Sequence, residues 1–262
     1  VDIQAISETA HALANAARAA ILPHFRTDGL KAENKDSVGF DPVTVADRAA
    51  ERAMRDILAV HRPDDAILGE EFGAKHGNSG LKWVLDPIDG TRAFVSGAPT
   101  WGVLIAVADS SGPIYGLIDQ PYIGERFEGG FGRAQMRGPL GERPLAVRGS
   151  RALAASTLMT TFPEVGTAQE GAAFAAVAKT VQLTRYGMDC YAYAMLAAGQ
   201  IDLVIEAGLN AYDIQAPIAV IEAAGGIVTD WQGGPAHEGG RAIAAAGAEQ
   251  HAAALAILRA FA

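Results

Sequence analysis

Cysteine is almost missing from this chain. Cys190 stands alone among 262 residues, which excludes an internal disulfide and a cysteine-rich zinc cluster and suits a reducing compartment. Positive charge is scarce as well: 21 Lys and Arg against 30 Asp and Glu leave a formal charge of −9. No run of Lys and Arg forms the basic stripe that grips a phosphate backbone, so nucleic acid is excluded as a partner. No stretch reaches the roughly 20 apolar residues of a membrane span, and Val1-Asp2-Ile3-Gln4 lacks the basic flank and apolar core of an export signal. A soluble, cytoplasmic protein with no membrane partner is expected, and the missing initiator Met is taken to mean that something has been removed. There is no G-x-x-x-x-G-K-[ST] loop, Gly130-Phe131-Gly132 lacks the further glycine of a dinucleotide loop, and no G-x-S-x-G occurs. The six His residues show no metal-ligand spacing. Aromatic residues make up only 7 %, and Trp101, Tyr191 and Tyr193 are read as core.

With 50 % hydrophobic and 19 % charged residues, the chain is globular and can bury one large core or two smaller ones closely joined. The most informative segment is Trp83-Val84-Leu85-Asp86-Pro87-Ile88-Asp89-Gly90-Thr91, an apolar run that stops at two carboxylates three positions apart. Acids so close at the end of a buried strand repel each other and resist desolvation unless a cation sits between them, and a hard divalent metal is the simplest such cation. Glu70, Asp86, Asp89 and Asp213 each stand at the end of a strand or the start of a helix, where layered α/β proteins bind ligands. Each also has an ordinary reading. Asp-Pro and Asp-Gly are turn signals, Glu70 sits beside Glu71 as surface charge would, Asp213 fits a helix cap, and Thr44 with Asp47 fits a capping box.

Apolar spacing predicts helices over Ile3–Phe25, closed by Gly29, and over Ala46–Leu58, with a polar loop at Asp36–Pro42 between them. Ala66–Leu68 and Lys82–Leu85 read as strands, and Trp101–Ala108 and Pro113–Ile118 as a hairpin turning at Asp109-Ser110-Ser111-Gly112. Arg126–Arg137 continues that sheet. A soft boundary is expected near residue 145, giving halves at 1–145 and 146–262 within one compact unit. The second half alternates: helix at Gln169–Lys179, strand at Val181–Thr184, helix from Asp189 or Cys190 to Ala198 stopped by Gly199, strand at Ile201–Ile205 and helix at Asp213–Ala224. Ile227–Thr229 and Ala242–Ala245 read as strands, and Ala248–Phe261 as a closing helix.

Glu70-Glu71, the block Asp86-Pro87-Ile88-Asp89-Gly90-Thr91, and Tyr212-Asp213 leading to Glu222-Ala223-Ala224-Gly225-Gly226 resemble the inositol monophosphatase family of metal-dependent phosphatases. The resemblance covers most of the chain. It implies an α+β fold of the five-layer αβαβα sandwich type, a homodimer, and two or three Mg²⁺ ions held by Glu70, Asp86, the carbonyl of Ile88, Asp89 and Asp213. It further implies that Thr91 and Glu70 orient the attacking water, that Asp47 polarises Thr91, and that the N–H groups of Gly90 and Thr91 hold phosphate oxygens.

Within that family, Tyr186-Gly187-Met188-Asp189-Cys190-Tyr191-Ala192-Tyr193 and Thr91-Arg92-Ala93-Phe94-Val95-Ser96-Gly97, with Pro99-Thr100-Trp101-Gly102, resemble the histidinol-phosphate phosphatase branch. Asp189 is then expected to meet the cationic part of histidinol, and Glu206 is a second contact for the alcohol. Asp189 also fits an N-cap, and Met188 stands where relatives often have glycine, which bears on the loop that holds Asp189. The expected substrate is a small phosphorylated metabolite, L-histidinol phosphate first and inositol 1-phosphate as the alternative. A metal- or anion-binding protein without turnover is the non-enzymatic alternative; Thr91, a hydroxyl beside the acids, speaks for turnover.

Overall fold

The computed structural model describes residues 2–28, 33–34 and 42–261; Gly29 and the loop over 36–41 lie outside them. Ile6, Ala10, Leu13, Ala17 and Ile21 are buried along α1 (Ile3–Ile21), and a tighter 3-10 turn, Leu22–His24, replaces the expected last turn of that helix because Pro23 interrupts it. After the short pair β1 (Glu33–Asn34) and β2 (Pro42–Val43), α2 (Val45–His61) buries Ala46, Ala50, Met54 and Leu58. The two helices pack together on one face of a large sheet.

That sheet is built from β3 (Ala66–Gly69), β4 (Gly73–Lys75), β5 (Lys82–Asp89), then, after α3 (Thr91–Ser96), β6 (Gly102–Asp109), β7 (Gly112–Gln120), β8 (Glu125–Gly130), β9 (Arg133–Gly138) and β10 (Gly141–Pro144). Its eight strands run in the order β10-β9-β8-β7-β6-β5-β3-β4, with β3 and β5 parallel so that both deliver their C-terminal ends to one edge. Alternation decides the faces. Trp83, Leu85, Val103, Ile105 and Val107 point to α1 and α2, while Val84, Leu104 and Ala106 point the other way. The segment expected as one strand over Arg126–Arg137 is two strands, turned at Phe131 and Gly132 with φ of 53° and 74°.

The second half supplies β11 (Thr157–Thr160), α4 (Ala168–Ala178), β12 (Leu183–Tyr186), α5 (Cys190–Ala197), β13 (Leu203–Asn210), α6 (Ala211–Ala223), β14 (Ile227–Thr229), β15 (Gly239–Ala245) and α7 (Ala248–Arg259). Its five strands are ordered β12-β11-β13-β15-β14. The strand expected at Val181–Thr184 begins two positions later, and β13 runs on past Ile205 through an irregularity between Glu206 and Leu209. Val204 and Ala244 face α5 and α6, whereas Leu203, Ile205, Ile243 and Ala245 face α4 and α7. The order of layers is therefore helices, large sheet, helices, small sheet, helices, as expected. α6 lies across β6, β7 and β8, so close to Gly116 that a Cβ there would collide with the Ala216 carbonyl. No helix of the described residues is long and apolar enough to cross a membrane.

Candidate active site

β5 ends by turning on itself. Asp86 Oδ1 accepts the N–H of Ile88 at 3.0 Å, pairing with β6 slips between Asp86 and Asp89, and Gly90 adopts a left-handed conformation with φ 86° before α3 begins at Thr91. Only glycine suits that point, because a Cβ would also lie 2.6 Å from Asp189 Cγ. The turn brings both carboxylates to the sheet edge. Asp213 arrives from the other half, in the first turn of α6, where its Oδ2 accepts the Asn210 N–H at 2.6 Å. It is the acid of a capping box, not the N-cap itself. Asp86, Asp89 and Asp213 each offer an oxygen, and these oxygens lie within 4.8 Å of one another.

Glu70 stands outside this trio but acts on it. It follows β3, with its N–H bonded to Leu85 O at 3.2 Å, and the turn behind it is gripped by buried Glu51, which accepts the N–H groups of Glu71 at 2.6 Å and Phe72 at 3.2 Å. Burial, then the charges of Glu70, Asp89 and Asp213, push the Asp86 carboxyl well above the ordinary carboxylate range. Burial, Asp189 and Asp213 do the same to Asp89. A set of crowded, buried and part-buried oxygens with no nitrogen or thiolate donor fits a hard divalent cation, which would restore every member to its charged form.

Thr91 Oγ1 donates to the Ile88 carbonyl at 3.0 Å and faces Asp47 Oδ1 at 3.4 Å. Asp47 meanwhile uses Oδ2 to accept the Thr44 N–H and hydroxyl at 2.8 and 2.6 Å. Capping and contact with Thr91 are thus both present in one carboxylate.

A cavity of about 260 Å³ is lined by Glu70, Asp86, Asp89, Thr91 and Asp213 and extends to Asp189, Glu206 and Arg92. Asp189 occupies the N-cap position of α5 with φ 48°, yet its side chain makes no capping bond there; Oδ2 accepts from Thr100 Oγ1 at 2.9 Å instead. The Cys190 N–H is bonded by Asp89 Oδ2 at 2.6 Å, tying the two halves together. Burial raises the Asp189 carboxyl, against the pull of Thr100 and Arg92. Glu206 is 7 % exposed and accepts the Thr161 N–H at 2.6 Å and hydroxyl at 2.9 Å; burial outweighs both bonds and pushes it up to about 7. The Cys190 thiol is buried beside the site, and burial and the neighbouring acids push it upward.

Sequence reasoning did not single out Arg92 or Thr161. Arg92 is the one cation among the described residues lining the cavity, and its guanidinium lies 4.8 Å from the centre of the Phe162 ring. Its place after Thr91 could have pointed to it; Thr161 follows a four-residue strand that carries no periodic signal.

The profile of the Inositol monophosphatase family matches residues 2–261. A bifunctional phosphatase, IMPL2, of Arabidopsis thaliana chloroplasts is 42 % identical over 234 residues, which are 88 % of this chain and 66 % of that protein. A histidinol-phosphatase of Mycobacterium tuberculosis is 34 % identical, with 90 % of this chain and 92 % of that one covered. Among solved structures, an inositol monophosphatase from Zymomonas mobilis superposes with a TM-score of 0.86 at 35 % identity over 99 % of both chains.

Proposed function

The chain belongs to the inositol monophosphatase family and is a phosphoric monoester hydrolase, and from that premise we propose that it hydrolyses L-histidinol phosphate to L-histidinol and phosphate, with Mg²⁺ as cofactor, as a step of histidine biosynthesis. The observation that carries the choice of ester is the pair Asp189 and Glu206. Both line the cavity, yet neither belongs to the trio Asp86, Asp89 and Asp213. A buried acid, Glu206, and a part-buried one, Asp189, beside a metal-type cluster are costly unless a positive charge meets them, and histidinol carries one. The likeness to a histidinol-phosphatase over nearly the whole chain supports the same reading.

Glu70, Asp86, the Ile88 carbonyl, Asp89 and Asp213 would hold two or three Mg²⁺ ions, whose charge offsets the acids and draws electrons from the phosphoryl group. The protein's own part is orientation. Thr91, its hydrogen engaged by Ile88 and Asp47, presents a lone pair to one hydrogen of the attacking water, and Glu70 receives the other. The N–H groups of Gly90 and Thr91 donate to phosphoryl oxygens. Asp189 and Glu206 hold the alcohol part so that the ester oxygen leaves on the side of phosphorus opposite the water. A homodimer in the cytoplasm is part of the proposal, and light scattering reads the first half of it.

The test compares kcat/KM for histidinol phosphate and inositol 1-phosphate with Mg²⁺ present. One charge-assisted hydrogen bond contributes about 1.5–3 kcal/mol, so a preference on the order of 10- to 150-fold for histidinol phosphate is expected. Equal values would remove the specificity. No phosphate release from either ester, with Thr91→Ala indistinguishable from the parent, would point to a metal-binding protein without turnover.

A further inference from the structure

Two buried carboxylates follow each other along one face of α2. Asp47 and Glu51 are four positions apart, hence one turn, among the buried Ala46, Ala50 and Met54, and Glu51 is 0 % exposed. Asp47 faces Thr91. Glu51 reaches the turn over residues 70–72 that joins β3 to β4, where its Oε2 accepts the Glu71 N–H at 2.6 Å and its Oε1 the Phe72 N–H at 3.2 Å. Arg55, one turn further along, donates from Nε to Glu51 Oε1 at 2.8 Å and from Nη2 to the Gly73 carbonyl. The guanidinium groups of Arg52 and Arg55 lie 5.4 and 5.9 Å from the centre of the Phe72 ring. The carboxylate can enter because Gly69 has no side chain; a Cβ there would collide with Glu51 Oε1.

A carboxylate taken wholly out of water is costly, and closing a short hairpin does not call for one. What it fixes is the residue at the head of the turn. Glu70 lines the cavity with Asp86 and Thr91. Its own N–H is bonded to Leu85 O, next to Asp86 on β5, and the two N–H groups that follow are held by Glu51. We propose that Glu51 is a positioning residue for Glu70, holding its carboxylate where Mg²⁺ and the attacking water would meet it. One helix then sets both groups that orient the water, Thr91 through Asp47 and Glu70 through Glu51, and keeps their spacing although they come from different strands. The proposal rests on the reading of Glu70 as a Mg²⁺ ligand.

Glu51→Gln keeps the size of the side chain but sets an NH₂ where an N–H of the turn or of Arg55 needs an acceptor. In metal-free protein, the Glu71 and Phe72 amides are expected to exchange with solvent at least about tenfold faster, the effect of losing one bond to a charged acceptor. Mg²⁺ titrated by calorimetry without ester is expected to bind about 10- to 100-fold more weakly, while KM for histidinol phosphate at saturating Mg²⁺ stays that of the parent. In a Glu70→Gln background the same substitution should cost no further Mg²⁺ affinity. Arg55→Lys keeps the charge beside Glu51 but loses the fork that joins it to Gly73; it should move exchange and Mg²⁺ affinity in the same direction by less, and it decides the matter if Glu51→Gln does not fold. Parent-like Mg²⁺ affinity in these variants, or an equal loss with Glu70 already replaced, would overturn the proposal and leave Glu51 as an anchor of the fold. Glu70→Gln by itself tests the ligand reading. Weaker Mg²⁺ binding there beside unchanged binding in Glu51→Gln sinks the proposal alone, and parent-like binding in Glu70→Gln sinks both.

Discussion

Asp86, Asp89 and Asp213 are held close against their mutual repulsion, and each other's charge is part of what raises Asp86. Asp213→Asn keeps an oxygen to accept the Asn210 N–H and removes one charge. In metal-free protein this variant is expected to melt no lower than the parent, whereas phosphate release falls by more than about 100-fold and Mg²⁺ no longer raises the melting temperature. Retained turnover would count against a ligand role. The acids were legible in sequence because an apolar strand that halts at two carboxylates has few structural reasons to do so. Their partners were not. Asp89 is bonded by the Cys190 N–H, 101 positions away, and Asp189 sits where an N-cap would while its carboxylate turns to Thr100; contacts of that range leave no local pattern.

Among the elements, α2 carries a second duty through its first turn, since the carboxylate that closes its capping box also faces Thr91. Thr44→Ala is expected to cost about 1 kcal/mol of stability in urea unfolding and to lower kcat, because Asp47 loses one of the two donors that fix its Oδ2. Loss of stability with unchanged kcat would leave Asp47 a cap and no more. Long amphipathic helices and the β6–β7 hairpin followed from periodicity, since each repeats its signal over several turns or pairs. Some short strands did as well, Ile227–Thr229 among them, but the short helix after β5 did not. α3 has six residues, too few for a periodic face, and draws its place from the turn at Gly90. The β8–β9 turn puts Phe131 at φ 53°, a conformation for which asparagine or glycine is the usual signal.

At the scale of the whole molecule, Glu128 on β8 links α1 to the large sheet. Burial alone would raise its carboxyl, but bonds from His11 on α1, Tyr115 on β7 and Gln135 on β9 hold it at about 2. That lies below the 4.5 of an ordinary glutamate, so the contribution is full above pH 4.5 and is lost as pH falls through about 2. Glu128→Gln is expected to unfold at lower urea than the parent at pH 7, with the gap closing toward pH 2; a constant gap would mean that shape and not charge is at stake. The five layers followed from a resemblance and from alternation along the strands, while the depth at which they nest did not, because it depends on which side chains are absent. Gly116 is such an absence, lying beneath the helix that bears Asp213. One methyl group added there would act as a wedge under a beam, pressing on Ala216 less than one turn from Asp213. The chain could lose its chemistry through a change that touches no acid, no cavity wall and no solvent.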